Sequence, residues 1–373
     1  MRIGFDAKRV FYNKSGLGNY SRDIILSLYQ KYPEEEYILY TPSVKGSIAF
    51  LPSNRVGIAT PPLGFGNLRS KYWRTVLLTK RLDRDGVDVY HGLSHELPYN
   101  IHKTKVKTVV TIHDIIFMRY PQWYGFIDRS IYKRKVVYSC RIADQIIAVS
   151  EQTKLDLMEF LGISEDKIRV IYQGCNDIFR NQVTTDDLLK IRKKHGLPSQ
   201  YILYLGTIEE RKNLLTVLKA IHQAGIEIPL VAIGRATKYM LKVRKYIHHH
   251  SMKNIHFLHS LPSDDLPAIY QGARLFVYPS LFEGFGIPIL EALNSRTPVI
   301  SSKGGCFGEV GGKYSLYVDP MNAEEMAEAI KTVLADEVLQ KKMSDEGYKH
   351  AQKFNKELIA EQMMSLYKSL YNA

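Results

Sequence analysis

Cysteine is scarce, with three in 373 residues, and Cys140, Cys175 and Cys306 stand far apart without paired spacing. That distribution disfavours both a disulfide framework and a zinc site, so the three are read as reduced and structural. Long apolar runs are absent as well, and nothing approaches the roughly 20 residues that a membrane span needs. The opening stretch Met1-Arg-Ile-Gly-Phe-Asp-Ala-Lys8 is too polar for a secretory signal, and a cytoplasmic location is expected. No segment is of low complexity; 45% apolar and 24% charged residues are ordinary for a globular chain. Acidic residues are outnumbered, 38 against 51 Lys and Arg, for a net charge of +13. Residues 1–180 carry 27 cations against 18 acids, and the remainder 24 against 20. A basic half attracts phosphorylated substrates, anionic lipid or nucleic acid, and charge alone does not choose among them or against a merely soluble surface.

What is present is an alternation. Ile3-Gly-Phe, Tyr37-Ile-Leu-Tyr, Val87-Asp-Val-Tyr, Thr108-Val-Val-Thr-Ile and Gln145-Ile-Ile-Ala-Val are short apolar runs separated by helical patterns, the signature of βαβ units in a parallel sheet. The pattern starts again with Tyr201-Ile-Leu-Tyr-Leu, Pro229-Leu-Val-Ala-Ile, Ile255-His-Phe-Leu, Leu275-Phe-Val-Tyr and Pro298-Val-Ile-Ser. The length exceeds the roughly 250–300 residues that one core supports. The fold class is therefore α/β, with two Rossmann-like doubly wound domains. Their boundary is expected near residues 173–200, where Asp186 to His195 reads as a helix ended by Gly196 and Pro198. Ligands of such sheets bind outside the carboxyl ends of strands, so the cleft between the domains is the expected active site.

The most informative segment follows Leu275-Phe-Val-Tyr-Pro-Ser. Gly284 and Gly286 let backbone approach a ligand, and Pro288 suits a first helical turn. Exposed N–H groups there, aided by the helix dipole, would accept phosphate oxygens. Glu283 before the loop and Glu291 on the helix are poor phosphate ligands but good acceptors for sugar hydroxyls. An isolated Glu-Gly pair is more often an ordinary strand-to-helix turn; Gly284-Phe285-Gly286 and the second acid favour a ligand site.

Pro279-Ser-Leu-Phe-Glu-Gly-Phe-Gly-Ile-Pro-Ile-Leu-Glu-Ala-Leu resembles the Glu-x7-Glu signature of retaining glycosyltransferases of family four, which have the two-domain GT-B fold. Thr111-Ile-His-Asp, Ile147-Ala-Val-Ser-Glu, Leu205-Gly-Thr-Ile-Glu-Glu-Arg-Lys-Asn, Gly308-Glu-Val-Gly-Gly and Val318-Asp-Pro resemble further landmarks in family order. The resemblance implies an acceptor-binding domain at 1–175, a nucleotide-sugar donor-binding domain at 176–355, and a last helix, 356–373, crossing back to the first domain. It gives Arg211 and Lys212, after the Gly206 loop, the task of neutralising the donor diphosphate. Oriented cations there would stabilise the negative charge that grows on the leaving group, whereas cations at a bare helix start are unfavourable. One departure is Thr207, where many members carry Arg directly after the glycine. By the same resemblance His113, at the end of the strand Thr108 to Ile112, approaches the donor sugar; a lone His there is as often structural. Asp114 reads as an orienting or capping residue.

The loop Ser15-Gly16-Leu17-Gly18-Asn19-Tyr20 precedes a helical run beginning near Tyr20 and would meet phosphate or acceptor through its N–H groups. It lies too far from Phe5, lacks a third glycine at Ser21, and has no acid after Tyr37-Ile-Leu-Tyr, so NAD is disfavoured. Asp83-Arg-Asp85 is a literal Asp-x-Asp but sits at a turn before Gly86. His248-His-His250 are consecutive and cannot face one another on a helix. Arg69 to Arg81 and Arg129 to Tyr138 are basic helical stretches interleaved with aromatics that would suit an anionic membrane or simply a solvated face.

Together these readings describe a metal-independent hexosyltransferase needing no cofactor. His113, Arg211, Lys212 and Glu283 are the expected catalytic residues. Gly16, Gly18, Gly206, Arg211, Lys212, Glu283, Gly284, Phe285, Gly286 and Glu291 are expected to bind the donor. The Gly206-Thr-Ile-Glu-Glu-Arg-Lys-Asn variant resembles mannosyltransferases of bacterial surface polysaccharides, which implies GDP-mannose as donor and a glycan or lipid-linked acceptor. Peripheral contact with an anionic membrane at its inner face is left open, and no nucleic acid is expected. The alternatives are a GT-B-fold nucleotide-sugar epimerase and a UDP-sugar-dependent glycosyltransferase.

Overall fold

The computed structural model describes residues 1–13, 16–44, 56–62, 72–259 and 261–373. The chain forms two compact units, Met1–Gly174 with Phe354–Ala373, and Cys175–Lys353. The first unit holds β1 (Arg2–Asp6), β2 (Glu36–Tyr40), β3 (Val56–Ala59), β4 (Val89–Gly92), β5 (Lys107–Ile112), β6 (Gln145–Ala148) and β7 (Ile168–Val170). Their order is β3-β2-β1-β4-β5-β6-β7 and all neighbours are parallel. The second holds β8 (Ile202–Leu205), β9 (Leu230–Ile233), β10 (Ile255–Leu258), β11 (Leu275–Tyr278), β12 (Val299–Ser302) and β13 (Leu316–Val318). These too are parallel, ordered β10-β9-β8-β11-β12-β13.

Each sheet thus reverses direction once, between β1 and β4 and between β8 and β11. At such a point the loops leaving adjacent strands part to opposite faces and leave a crevice for a ligand. The central strands are buried on both faces, as parallel strands are when crossover helices cover the sheet; all four residues of β11 are buried. Three strands were missed by periodicity, β3, β7 and β13, and each is an edge strand. An edge strand is paired on one side only, and the exposed Gly57 and Arg169 break the apolar runs.

Helix boundaries follow local chemistry. The helix Thr185–His195 starts where the Thr184 side chain accepts the Asp187 N–H, carries acids in its first turn and bases in its last, and stops at left-handed Gly196, each feature favourable to the helix ends. The glycine segment of the first unit departs from expectation. Gly16 and Gly18 are not in a loop but in the first turns of the helix Gly16–Lys31, while Ser15 lies outside the described residues. A Cβ on Gly18 would stand 1.9 Å from the Asn13 carbonyl oxygen, so the glycine serves close packing of this helix on the preceding turn.

The last helix, Lys356–Tyr371, buries Ile359, Ala360, Met363, Met364, Leu366 and Tyr367. These join Tyr20, Ile24, Ile25 and Leu28 of the helix Gly16–Lys31 in one apolar layer over the sheet. A polar peg crosses that layer: buried His91 contacts Tyr367 Oη at 2.6 Å through Nδ1 and Thr111 Oγ1 at 2.8 Å through Nε2. Burial, with a smaller contribution from His113, lowers its pKa to about 3, so the ring is neutral. His91→Ala would leave a cavity and two buried hydroxyls short of a partner, a loss of about 2–4 kcal/mol. The expected result is a clear drop in the thermal midpoint, and an unchanged midpoint would remove the peg from the account of stability.

Candidate active site in the second unit

Three loops meet at the carboxyl ends of β8, β11 and β12: Gly206–Asn213, Pro279–Gly286 and Lys303–Cys306. Gly206 adopts φ 155°, and a Cβ on Gly234, at the end of β9, would fall 1.8 Å from the Gly206 carbonyl oxygen. Two backbones therefore touch where any side chain would push the first loop away. The loop then makes a short 3-10 turn over Glu210–Lys212 and enters the helix Leu214–Gln223 through left-handed Asn213. Asn213 Nδ2 donates to the carbonyls of Pro279 and Pro320 at 3.2 and 2.7 Å, and Leu281 N–H donates to the Arg211 carbonyl at 2.8 Å. The first two loops are laced together by backbone.

That lacing brings Arg211, Lys212 and Glu283 into one cluster. Arg211 Nη1 is 2.7 Å and Lys212 Nζ 2.5 Å from the same oxygen, Oε1 of Glu283. All three side chains are mostly buried, Glu283 at 12% exposure. The cations also donate elsewhere: Arg211 to Phe282 O and Glu209 Oε1, both at 2.8 Å, and Lys212 to Tyr278 Oη at 2.6 Å. Both cations nonetheless converge on the one oxygen, Oε1 of Glu283. Burial pushes the Glu283 carboxyl up, but Lys212 and Arg211 outweigh it and hold the pKa at about 2. The acid is an anion and cannot serve as a proton donor near neutrality.

Glu291 lies in an opposite environment. It sits on the helix Ile287–Asn294, which starts after Gly286 at φ 124° and has Pro288 in its first turn. Tyr270 Oη donates to its Oε2 at 2.9 Å. Burial raises its pKa to about 7, and the Tyr270 hydrogen bond offsets only part of that. The turn between the two acids is clamped from below by Cys306, whose Sγ is 2.6 Å from the Phe285 carbonyl and 3.3 Å from that of Glu283. Burial raises the pKa of the thiol well above its ordinary value, which keeps its proton available for this contact. Tyr270, Tyr278, Gly234 and Cys306 escaped the sequence reading. Gly234, directly after an apolar run, is the one that strand-end reasoning had the means to find.

His113 belongs to the first unit. It is buried, its Nε2 donates to the Leu93 carbonyl at 3.0 Å, and Gln173 Nε2 lies 3.3 Å from Nδ1. Tyr20 packs edge-on at 4.6 Å between ring centroids. Burial foremost, then His95, lowers its pKa to about 3. Both ring nitrogens thus have partners within the first unit, and burial favours the neutral ring. The other candidates are accounted for locally: Asp85 receives hydrogen bonds from Tyr40 and Arg81, and His248 and His249 end a helix.

At the switch point of the second sheet the structure gathers two mostly buried cations, two acids and a glycine-rich helix start. Residues 16–177 match the profile described as Glycosyltransferase Family 4, and residues 188–350 match Glycosyl transferases group 1. The chain belongs to these glycosyltransferases. It is 28% identical to the O-antigen chain mannosyltransferase B of Escherichia coli, covering 99% of this chain and 100% of that one. It is 29% identical to the O-antigen chain mannosyltransferase RfbU of Salmonella typhimurium over 60% of each chain. Among solved structures, a glycosyltransferase from Rickettsia africae superposes with a TM-score of 0.76 at 20% identity, covering 99% and 98% of the two chains. Anabaena Alr3699/HepE in complex with UDP-glucose gives 0.75 at 19% identity, covering 99% and 100%. The fold is GT-B.

The raised pKa of Glu291 has a consequence for stability. Its folded-state pKa of about 7 exceeds its ordinary 4.5, so the folded state binds the proton more tightly than the unfolded chain. The penalty is full above pH 7 and is relieved as pH falls toward 4.5. Glu291→Gln is expected to stabilise the ligand-free protein at pH 8 by about 1–3 kcal/mol and to have little effect at pH 5. Denaturant unfolding at the two pH values checks this, and equal effects at both would contradict it.

Proposed function

We propose that this glycosyltransferase is a hexosyltransferase moving mannose from GDP-mannose, with retention of anomeric configuration and without a metal, to a glycan or lipid-linked acceptor in cell-surface polysaccharide synthesis. The observation that carries the reading is the shared contact of Arg211 and Lys212 with Glu283. A bound donor places its diphosphate against the two cations and its sugar hydroxyls against Glu283, so the ligand exchanges partners with an ion cluster already formed. Gly284, Phe285 and Gly286 present backbone N–H groups to the phosphates at the start of the helix Ile287–Asn294, and Glu291 accepts the ribose hydroxyls. The mannosyl and O-antigen assignment follows the names of the relatives, of which the O-antigen chain mannosyltransferase B is matched over its full length, and the acceptor is assigned to the first unit.

In the transfer the bond between the sugar's anomeric carbon and the diphosphate oxygen breaks, and negative charge accumulates on the departing diphosphate. Fixed cations in a buried site stabilise that charge without reorganising, which is what a divalent metal supplies in other enzymes. Lys212→Ala is expected to lower kcat by about 100-fold or more with a smaller change in KM. Transfer of labelled mannose from GDP-mannose to a glycan acceptor measures it, and normal turnover would contradict the role. Epimerised nucleotide sugar without transfer would instead identify an epimerase. Thermal unfolding with GDP- and UDP-sugars selects the donor base, since ligand at 100 times its Kd adds about 2.7 kcal/mol.

Because Glu291 accepts hydroxyls best as an anion, donor affinity is expected to rise with pH through about 7 and to lose that dependence in Glu291→Gln. Isothermal titration at pH 6 and pH 8 tests this.

A further inference from the structure

The two basic, aromatic stretches of the first unit separate in the structure. In the first, Trp73 and Arg74 are 5% and 8% exposed, and Arg74 is spent on Asp6 and Glu96; residues 69–71 lie outside the described residues. The second is the helix Phe126–Ile142, and its amino-terminal half protrudes. Phe126 and Ile127 are each 73% exposed, Ile131 48% and Tyr132 45%, more large apolar side chains than any other described helix of this unit exposes. Its carboxyl-terminal half turns Val136, Ser139 and Cys140 into the core. The protruding half is therefore held by a buried anchor.

Cations surround these side chains. Arg129 lies over the Phe126 ring at 5.5 Å, and Lys133 and Arg134 are exposed with no carboxylate partner among the described residues, whereas Lys135 is committed to Glu96. Asp128 is the single acid of the helix. Tyr120 and Trp123 stack just before it at 4.4 Å, ring types that favour the headgroup level of a bilayer. Phe117, Met118, Pro121, Phe126, Arg129 and Lys133 line a groove of about 390 Å³ with an apolar floor and a basic rim. The helix leaves the carboxyl edge of the sheet after β5, so this surface stands at the same edge as His113.

We propose that this end of the first unit docks on an anionic lipid bilayer, with Phe126, Ile127 and Ile131 entering the interface and Arg129, Lys133 and Arg134 meeting lipid phosphates. Apolar insertion and attraction to anionic headgroups reinforce each other. A second copy of the chain is a poorer occupant, because self-association would set these unpaired cations face to face. The inference rests on the lipid-linked acceptor of the proposed function for its purpose, though not for its geometry.

The test is co-sedimentation of the full chain with vesicles of phosphatidylglycerol and phosphatidylethanolamine, and with pure phosphatidylcholine. Binding to the anionic vesicles is expected, weakened by salt. The F126S/I127S/I131S and R129Q/K133Q/R134Q variants, with unchanged thermal midpoints, are each expected to bind about 10-fold or more weakly. Absent binding, variants that bind like the parent, or a dimer in sedimentation that dissolves in the variants would each overturn the proposal. Mannosyl transfer to a water-soluble acceptor should be the same in parent and variants. If the parent shows none while vesicle binding behaves as expected, the transferase reading fails and the docking surface stands.

Discussion

The geometry of the second unit turns on one buried contact: a glutamate oxygen facing both an arginine and a lysine. Removing three charges from water is expensive, and the mutual attraction of such a cluster often only balances that cost. Both cations meet Glu283 at Oε1, while Arg211 also donates to Phe282 and Glu209, and Lys212 to Tyr278. Each cation therefore has a second partner besides the acid. In the proposed reaction this lets an incoming diphosphate take over the positive charge while the glutamate turns to the sugar, with little rearrangement of the walls.

Backbone contacts and a few buried side chains bring the loops together. Gly206 and Gly234 touch at a distance no Cβ allows, Arg211 and Leu281 are joined by a main-chain hydrogen bond, and Cys306 holds the underside of the Glu283–Gly286 turn. The reversal of strand order between β8 and β11 opens the space that these loops line. The two acids consequently differ by environment: Glu283 is held anionic by its cations, and Glu291, with one tyrosine for a partner, titrates near neutrality.

The first unit repeats the architecture and spends its charge differently. At its own reversal, between β1 and β4, Asp6 and Glu96 close around Arg74, and the histidines His91, His95 and His113 are neutral because burial lowers their pKa values to about 3, 4 and 3. Its outward cations gather instead beside exposed apolar side chains on the helix Phe126–Ile142. Charge buried in one place and displayed in another gives a basic first half a specific meaning.

The alternation of apolar runs with helical periods determined two doubly wound units, since parallel strands buried on both faces read as continuous apolar segments. The resemblance carried by the Glu-x7-Glu spacing and the Arg-Lys pair singled out residues of which the structure brings Arg211, Lys212 and Glu283 together. Tertiary structure alone decided the rest. Edge strands β3, β7 and β13 carry too little apolar pattern to be seen. Gly16 and Gly18 begin a helix, and only the folded chain brings the Asn13 carbonyl against Gly18. No local pattern told the buried stretch at Trp73 and Arg74 from the protruding one at Phe126 and Ile127. That Glu283 and the cations meet one another, and that Glu291 titrates near 7, depends on desolvation and on partners distant in sequence, and both exist only after the loops are assembled.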